Sequence, residues 1–256
     1  MNQLQKAIIE KTGHDFGFEY LVSETESWVV LGSARHGVHA AISLVDGTYK
    51  VGFQNAKANF IAELNRDFDN KNNDQFNVQG ESQLALLLQR ASQLANSLPN
   101  QAVNNYESDL KTALALMPLS AKGTEVERMV RQRIGQDAYR KAMLDYWGNA
   151  CAVTGLQMPE VLRASHAKPW AECETDAERL DVYNGFLLTA NLDALFDRFL
   201  ISFDEGGRII ISKAISDSQK VLLNIHQNMQ LRWISKEHES YLIFHRSKFQ
   251  LMVLQG

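Results

Sequence analysis

The chain has 256 residues, a formal net charge of −4, and 45% hydrophobic against 22% charged side chains. This length and apolar content suit one large domain or two ordinary ones with a real core and exclude a disordered chain, and the mild acidity excludes a histone-like binder held to nucleic acid by charge alone. The only two cysteines, Cys151 and Cys173, form no CxxC pair, which excludes a disulfide framework and a cysteine-bound structural zinc; with no apolar run of membrane-spanning length and no signal-type start, a cytoplasmic protein without a membrane partner is expected.

An amphipathic stretch at 4–11 opens the chain, followed by strand-like runs at 17–22, 28–31, 38–45 and 49–53. Asp46-Gly47 between the last two runs is a two-residue hairpin signal. Phe60, Ile61 and Leu64 then take helical spacing up to a polar tract at 67–74. A second helix is expected over 81–96, stopped by Pro99, and a third over 106–117, stopped by Pro118. Residues 120–123 read as a linker. The pattern predicts an α+β protein whose first domain, residues 1–120, is a small antiparallel sheet plus helices with a regulatory, DNA-binding or partner-binding role.

The second domain, 124–256, begins with Thr124-Glu-Val-Glu127, which has the spacing of a capping box. The next helix is expected to break at Gly135 and resume over 136–147, ending at Gly148-Asn149. Residues 151–154 and 160–164 read as two short strands joined by a turn, with His166 at the end of the second. After an acidic stretch at 172–181 come Asn184-Gly185, a helix over 191–200, and a hairpin over 201–212. A helix near 218–226, a short strand at 231–234 and a last helix over 236–249 complete the chain.

Four residues in order carry the chemistry: His166, Asn184, Asp193 and Asp197. A histidine near its ordinary pKa is mostly neutral at cellular pH, so one ring nitrogen can take a proton from water. On the 191–200 helix, Leu192, Leu195, Phe196, Phe199 and Leu200 form the stripe that must face a core, and Asp193 and Asp197 flank it. Those two carboxylates lie about 40° apart around the axis and one turn apart along it. Like charges there cost a bare helix a few tenths of a kcal/mol, and a cation between them reverses the sign. Hard oxygen ligands favour one Mg²⁺ or Mn²⁺ over zinc. Arg163, Lys168, Arg179 and Arg198 are the nearest basic groups for holding phosphate or DNA. A base beside a hard-cation site suits phosphodiester hydrolysis.

Residues from about 133 to 249 resemble the HNH endonuclease superfamily, in the branch found among bacterial restriction-type enzymes. The resemblance implies a ββα-metal nuclease domain with flanking helices. His166 takes the position of the general base, Asn184 that of the central asparagine that orders the loop, and Asp193 the third motif position, with Asp197 one turn on as a second metal ligand. Ser165 stands where many relatives carry an acidic or histidine metal ligand. Gly135-Gln136 with Tyr139-Arg140 resembles the branch's lead-in helix, and Tyr241-Leu242, His245-Arg246 and Phe249 its closing helix. The resemblance further implies an enzyme that nicks or cuts DNA with one divalent ion, in defence against phage or other foreign DNA, with room for partner proteins of a defence system. Two other readings stay open: a nuclease-shaped nucleic-acid-binding module with too weak a metal site, and a nuclease subunit restrained until a partner complex activates it.

Overall fold

A computed structural model describes residues 1–68, 75–99 and 101–255, with side chains as far as 251. The chain is α+β and divides into two compact units, Met1–Gln101 and Ala102–Gly256.

In the first unit, helix α1 (Gln3–Asp15) precedes an antiparallel meander of β1 (Tyr20–Glu24), β2 (Val29–Gly32), β3 (His39–Val45) and β4 (Thr48–Gln54). Asp46 and Gly47 both take positive φ, 48° and 78°, and Val45 pairs with Thr48 across them, as a type I′ hairpin requires. Helix α2 (Ala58–Phe68) comes next. The polar tract expected at 67–74 lies outside the described residues from 69 onward. Strand β5 (Gln75–Gln79) then adds to β4 as the fifth strand, and α3 (Gly80–Ser97) continues from it.

No strand was expected at β5. Its Gln-Phe-Asn-Val-Gln alternates, but only two apolar residues stand among polar ones, so the sequence reads as a continuation of the tract before it. In the sheet the period of two turns Phe76 and Val78 inward, and Val29, Ile42, Val51 and Phe76 align as one buried row across four strands. Helices α1 and α3 pack on the sheet, with Leu84, Leu87, Leu88, Ala91 and Leu94 of α3 buried.

The second unit holds α4 (Gln101–Leu116), α5 (Glu125–Tyr146), β6 (Leu162–His166), α6 (Asp176–Arg179), β7 (Gly185–Thr189), α7 (Ala190–Asp197), β8 (Ile201–Phe203), β9 (Ile209–Ile211), α8 (Asp217–Leu222) and α9 (Glu239–Gln255). Strands β6 and β7 form an antiparallel hairpin pair against which α5 and α7 pack, and β8 and β9 form a second pair against α9.

Several expectations change here. Helix α5 runs through Gly135 without a break. Gly135 answers a packing demand: a Cβ there would lie 2.4 Å from the Trp170 ring. The capping box is also modified. Thr124 accepts from Val126 N at 3.2 Å, but Glu127 reaches back to Gly123 N, one residue beyond the cap.

Residues 151–154 form a tight turn, and the strands that pair are β6 and β7. The backbone groups of the turn are satisfied partly within it and partly by single outside bonds: Gly155 N donates to Cys151 O, the N–H groups of Val153 and Thr154 point at Cys151 Sγ, at 3.5 and 3.4 Å, and Ala152 donates to Leu187 O of β7 and accepts from Arg232 N. With the Val153 and Thr154 donors turned inward, the single bond from Ala152 to β7 does not extend into a ladder. Residues 231–234 likewise form no strand; pairing there is limited to a bridge between Arg208 and Gln230. Helix α7 stops at Asp197, three residues before the expected end, because Phe199 turns to φ 55° and Leu200 N bonds back to Leu195 O.

His245 is built into the core of this unit. Its ring stacks on Phe196 at 3.8 Å, its Nε2 donates to Phe196 O, and its Nδ1 meets the Ser202 hydroxyl at 2.9 Å. These contacts tie α9 to α7 and β8, which holds the back of the ββα unit in place.

Candidate active site

Alternation along β6 places adjacent side chains on opposite faces of the hairpin. Ser165, buried, faces α7, where its Oγ lies 2.8 Å from Asp193 Oδ1 and 2.9 Å from Asp197 Oδ1. His166 meets α5, where its ring stacks on Tyr139 with centroids 3.8 Å apart and planes 20° apart. At the strand's end both sides border one cleft of about 570 Å³, lined by His166, Asp193, Asp197, Arg163, Trp170 and Gln136 among others. The fold therefore gathers the imidazole and the two carboxylates at one concavity, although the acids lie 27 and 31 positions further along the sequence (193 − 166 and 197 − 166).

The protonation state of His166 is set by its contacts. Nε2 lies 2.9 Å from Arg179 O, and a carbonyl only accepts, so Nε2 carries the hydrogen and Nδ1 is the basic nitrogen. Burial of the ring lowers its pKa to about 4, which keeps it neutral at cellular pH. The Trp170 ring meets it edge-on at 5.8 Å.

The carboxylates show the opposite strain. Burial raises the pKa of Asp193, against the Ser165 hydrogen bond and the nearby Arg163 charge, which lower it. Burial also raises that of Asp197, helped by the charge on Asp193, although Asp197 as a whole residue stays exposed. A hydroxyl has one proton, so Ser165 can donate to only one of its two acceptors at a time. Two carboxylates converging on a single donor are underprovided with positive charge, and a hard cation suits that deficit. Among the described residues no cluster of three or more His, Cys, Asp or Glu side chains could hold a metal. A divalent ion here would therefore rest on Asp193 and Asp197, with Ser165 beside them and water or phosphate oxygens completing its shell, as Mg²⁺ commonly allows.

Asn184 is fully buried and staples the loop between the two strands. Its Oδ1 accepts from Lys168 N at 2.8 Å, while its Nδ2 donates to Glu178 O and Lys168 O, at 3.0 and 3.2 Å. Tyr241 Oη donates to Asp181 Oδ2 at 3.0 Å and anchors the same loop to α9. Gly185 has φ 147°, and a Cβ there would lie 1.9 Å from Ser165 O and 2.6 Å from Tyr139 Oη. Replacing Gly185 with alanine is expected to destabilise the second unit by about 3 kcal/mol or more, because backbone must move to admit the methyl group. Chemical denaturation checks this, and a variant of native stability would contradict the close approach.

The four basic groups separate. Arg163 is exposed, lines the cleft and donates from Nη1 to the backbone oxygens of Glu160 and Leu162, and Arg198 is exposed next to Asp197, whose raised pKa its charge partly offsets. The other two are engaged within the loop: Lys168 Nζ pairs with Glu178 at 2.7 Å, and the Arg179 guanidinium bonds Asp176 Oδ1, Trp170 O and Cys173 O. Tyr139, Trp170 and Gln136 at the cleft were not picked out as site residues from the sequence. Gly135 was the available signal, since a glycine in an otherwise regular helix marks a close neighbour.

No curated protein matches the chain in sequence. Residues 151–204, spanning the Cys151 turn, β6, the Asn184 loop, β7 and α7, match the family model described as HNH endonuclease. The chain thus carries, in this segment of its second unit, a domain of the HNH endonuclease superfamily, a family of nucleases.

Proposed function

We propose that the protein is a divalent-metal-dependent endodeoxyribonuclease that nicks or cuts DNA. The observation that carries this reading is the placement of a neutral imidazole, with Nε2 tied to Arg179 O, in the same cleft as two carboxylates that share one serine hydroxyl. Nδ1 of His166 takes the proton from the attacking water. Asn184 acts through the loop, holding the backbone on either side so that His166 and Arg179 keep their spacing. Asp193, Asp197 and Ser165 would hold the ion, and Mg²⁺ or Mn²⁺ bound there would supply positive charge for phosphodiester hydrolysis. Arg163 and Arg198 are placed to meet flanking phosphates, whereas Lys168 and Arg179 contribute by fixing the loop. The products expected carry a 5′ phosphate and a 3′ hydroxyl, and the resemblance to restriction-type enzymes suggests defence against foreign DNA.

Supercoiled plasmid with Mg²⁺ or Mn²⁺ tests the reading. Nicking that needs the ion and stops on chelation is the expected result; intact plasmid at any enzyme ratio would sink it. The two-carboxylate site favours one rival, a nucleic-acid-binding module with too little metal affinity to cut. Plasmid retarded in a gel but never nicked would identify that rival. No helix among the described residues is long and apolar enough to cross a membrane.

A further inference from the structure

We infer that Tyr139, on α5 and outside the matched segment, is the positioning residue that sets the plane of the His166 imidazole; this rests on His166 being the base. The hydrogen bond from Nε2 to Arg179 O fixes one point of the ring and leaves it free to rock about that point. A face contact removes the rocking. Tyr139 supplies that contact, stacked at 3.8 Å and 20° from parallel, while Trp170 closes the neighbouring side edge-on.

Tyr139 is itself immobilised. It is 1% exposed, and its hydroxyl donates to Asn184 O at 2.9 Å, so the loop asparagine and the base are referenced to the same side chain. Gly185 leaves room for that hydroxyl, since a Cβ there would lie 2.6 Å from it. Gly135, one turn earlier on α5, leaves room for Trp170. One face of α5 therefore serves both supports of the imidazole, carrying Tyr139 and, at Gly135, admitting Trp170. A general base must point its lone pair at water within a narrow cone, and a small misplacement costs rate without costing substrate affinity.

Two variants of the full chain and one spectrum test this. Tyr139→Leu is expected to lower kcat for plasmid nicking by on the order of a hundredfold with KM changed less than about twofold, whereas Tyr139→Phe, which keeps the face, stays within about fivefold of native. In the native protein the His166 ring protons, assigned by their loss in His166→Ala, should be shifted upfield by the tyrosine face. Tyr139→Phe should retain that shift, and Tyr139→Leu should lose it. A folded Leu variant with native kcat, or with His166 signals unmoved, overturns the inference. If the Leu variant does not fold, the Phe variant decides: a folded Tyr139→Phe that loses the upfield shift or falls a hundredfold in kcat overturns it. If the native protein cuts nothing, the nuclease reading fails, and the ring shifts still decide whether Tyr139 sets the imidazole plane.

Discussion

His166→Ala is expected to lower metal-dependent nicking by about a hundredfold to ten-thousandfold, the range over which a positioned general base acts. Among the described residues no other imidazole lines the cleft to replace it. The circular dichroism spectrum should remain native, so that the loss reads as chemistry. The pH profile gives a second check. Nδ1 is a base only while unprotonated, and burial lowers the ring's pKa to about 4. The histidine-controlled acid limb of kcat/KM, which reports the free enzyme, should therefore lie below 6.5, towards 4. A phosphate in the cleft favours the protonated ring, so the limb of kcat should lie higher than that of kcat/KM. A kcat/KM limb at or above the ordinary histidine value of 6.5 would show a solvated imidazole and contradict the stacked, tied ring.

The second large effect concerns the acids. Asp193→Asn and Asp197→Asn should each raise the Mg²⁺ or Mn²⁺ concentration for half-maximal nicking by about tenfold or more, with Mn²⁺ binding by calorimetry weakened in parallel. In the absence of metal the same changes should leave the fold as stable as the native protein or slightly more so. The sign is given by the direction of the shifts. Burial raises both carboxyl pKa values, so the native state holds these protons more tightly than the unfolded chain does. The penalty is absent below the ordinary value of 3.8 and fully present once pH exceeds the raised native values. At neutral pH an amide removes it. Weaker metal binding together with an undiminished fold is the mark of acids kept for a cation; a marked loss of metal-free stability would make them structural.

The chain's local signals were legible where the reason for a conformation lies within a few residues. Asp46-Gly47 requires positive φ at both positions and received it. The stripe of Leu192, Leu195 and Phe196 must face a core, and that orientation leaves Asp193 and Asp197 at its edge, towards Ser165. Where the reason lies far along the chain, the local reading went astray. Gly135 reads as a helix break because only Trp170, 35 positions later, explains it (170 − 135). Residues 151–154 carry the apolar character of a strand, yet the Cys151 sulfur takes the Val153 and Thr154 N–H groups that would carry pairing beyond the one bond from Ala152 to β7.

The basic residues teach the same lesson for the site. Arg163, Lys168, Arg179 and Arg198 are alike in a sequence, each a cation near the motif. Which cations are tied up depends on whether an acid folds back onto them; Arg163 instead meets the backbone oxygens of Glu160 and Leu162. Glu178 meets Lys168 and Asp176 meets Arg179, while Arg163 and Arg198 keep exposed positions.

From the order of its residues alone, the chain determined the α+β class, the helix that carries Asp193 and Asp197, and the candidate chemistry of one imidazole with a pair of acids, because periodicity and side-chain type are properties of short segments. Only the tertiary structure decided the tautomer of His166, the burial that lowers its pKa, the shared Ser165 hydroxyl and the Tyr139 face. Each of these depends on atoms brought together from distant positions, and in a low-dielectric cleft it is such neighbours, more than the residue itself, that set where a proton rests.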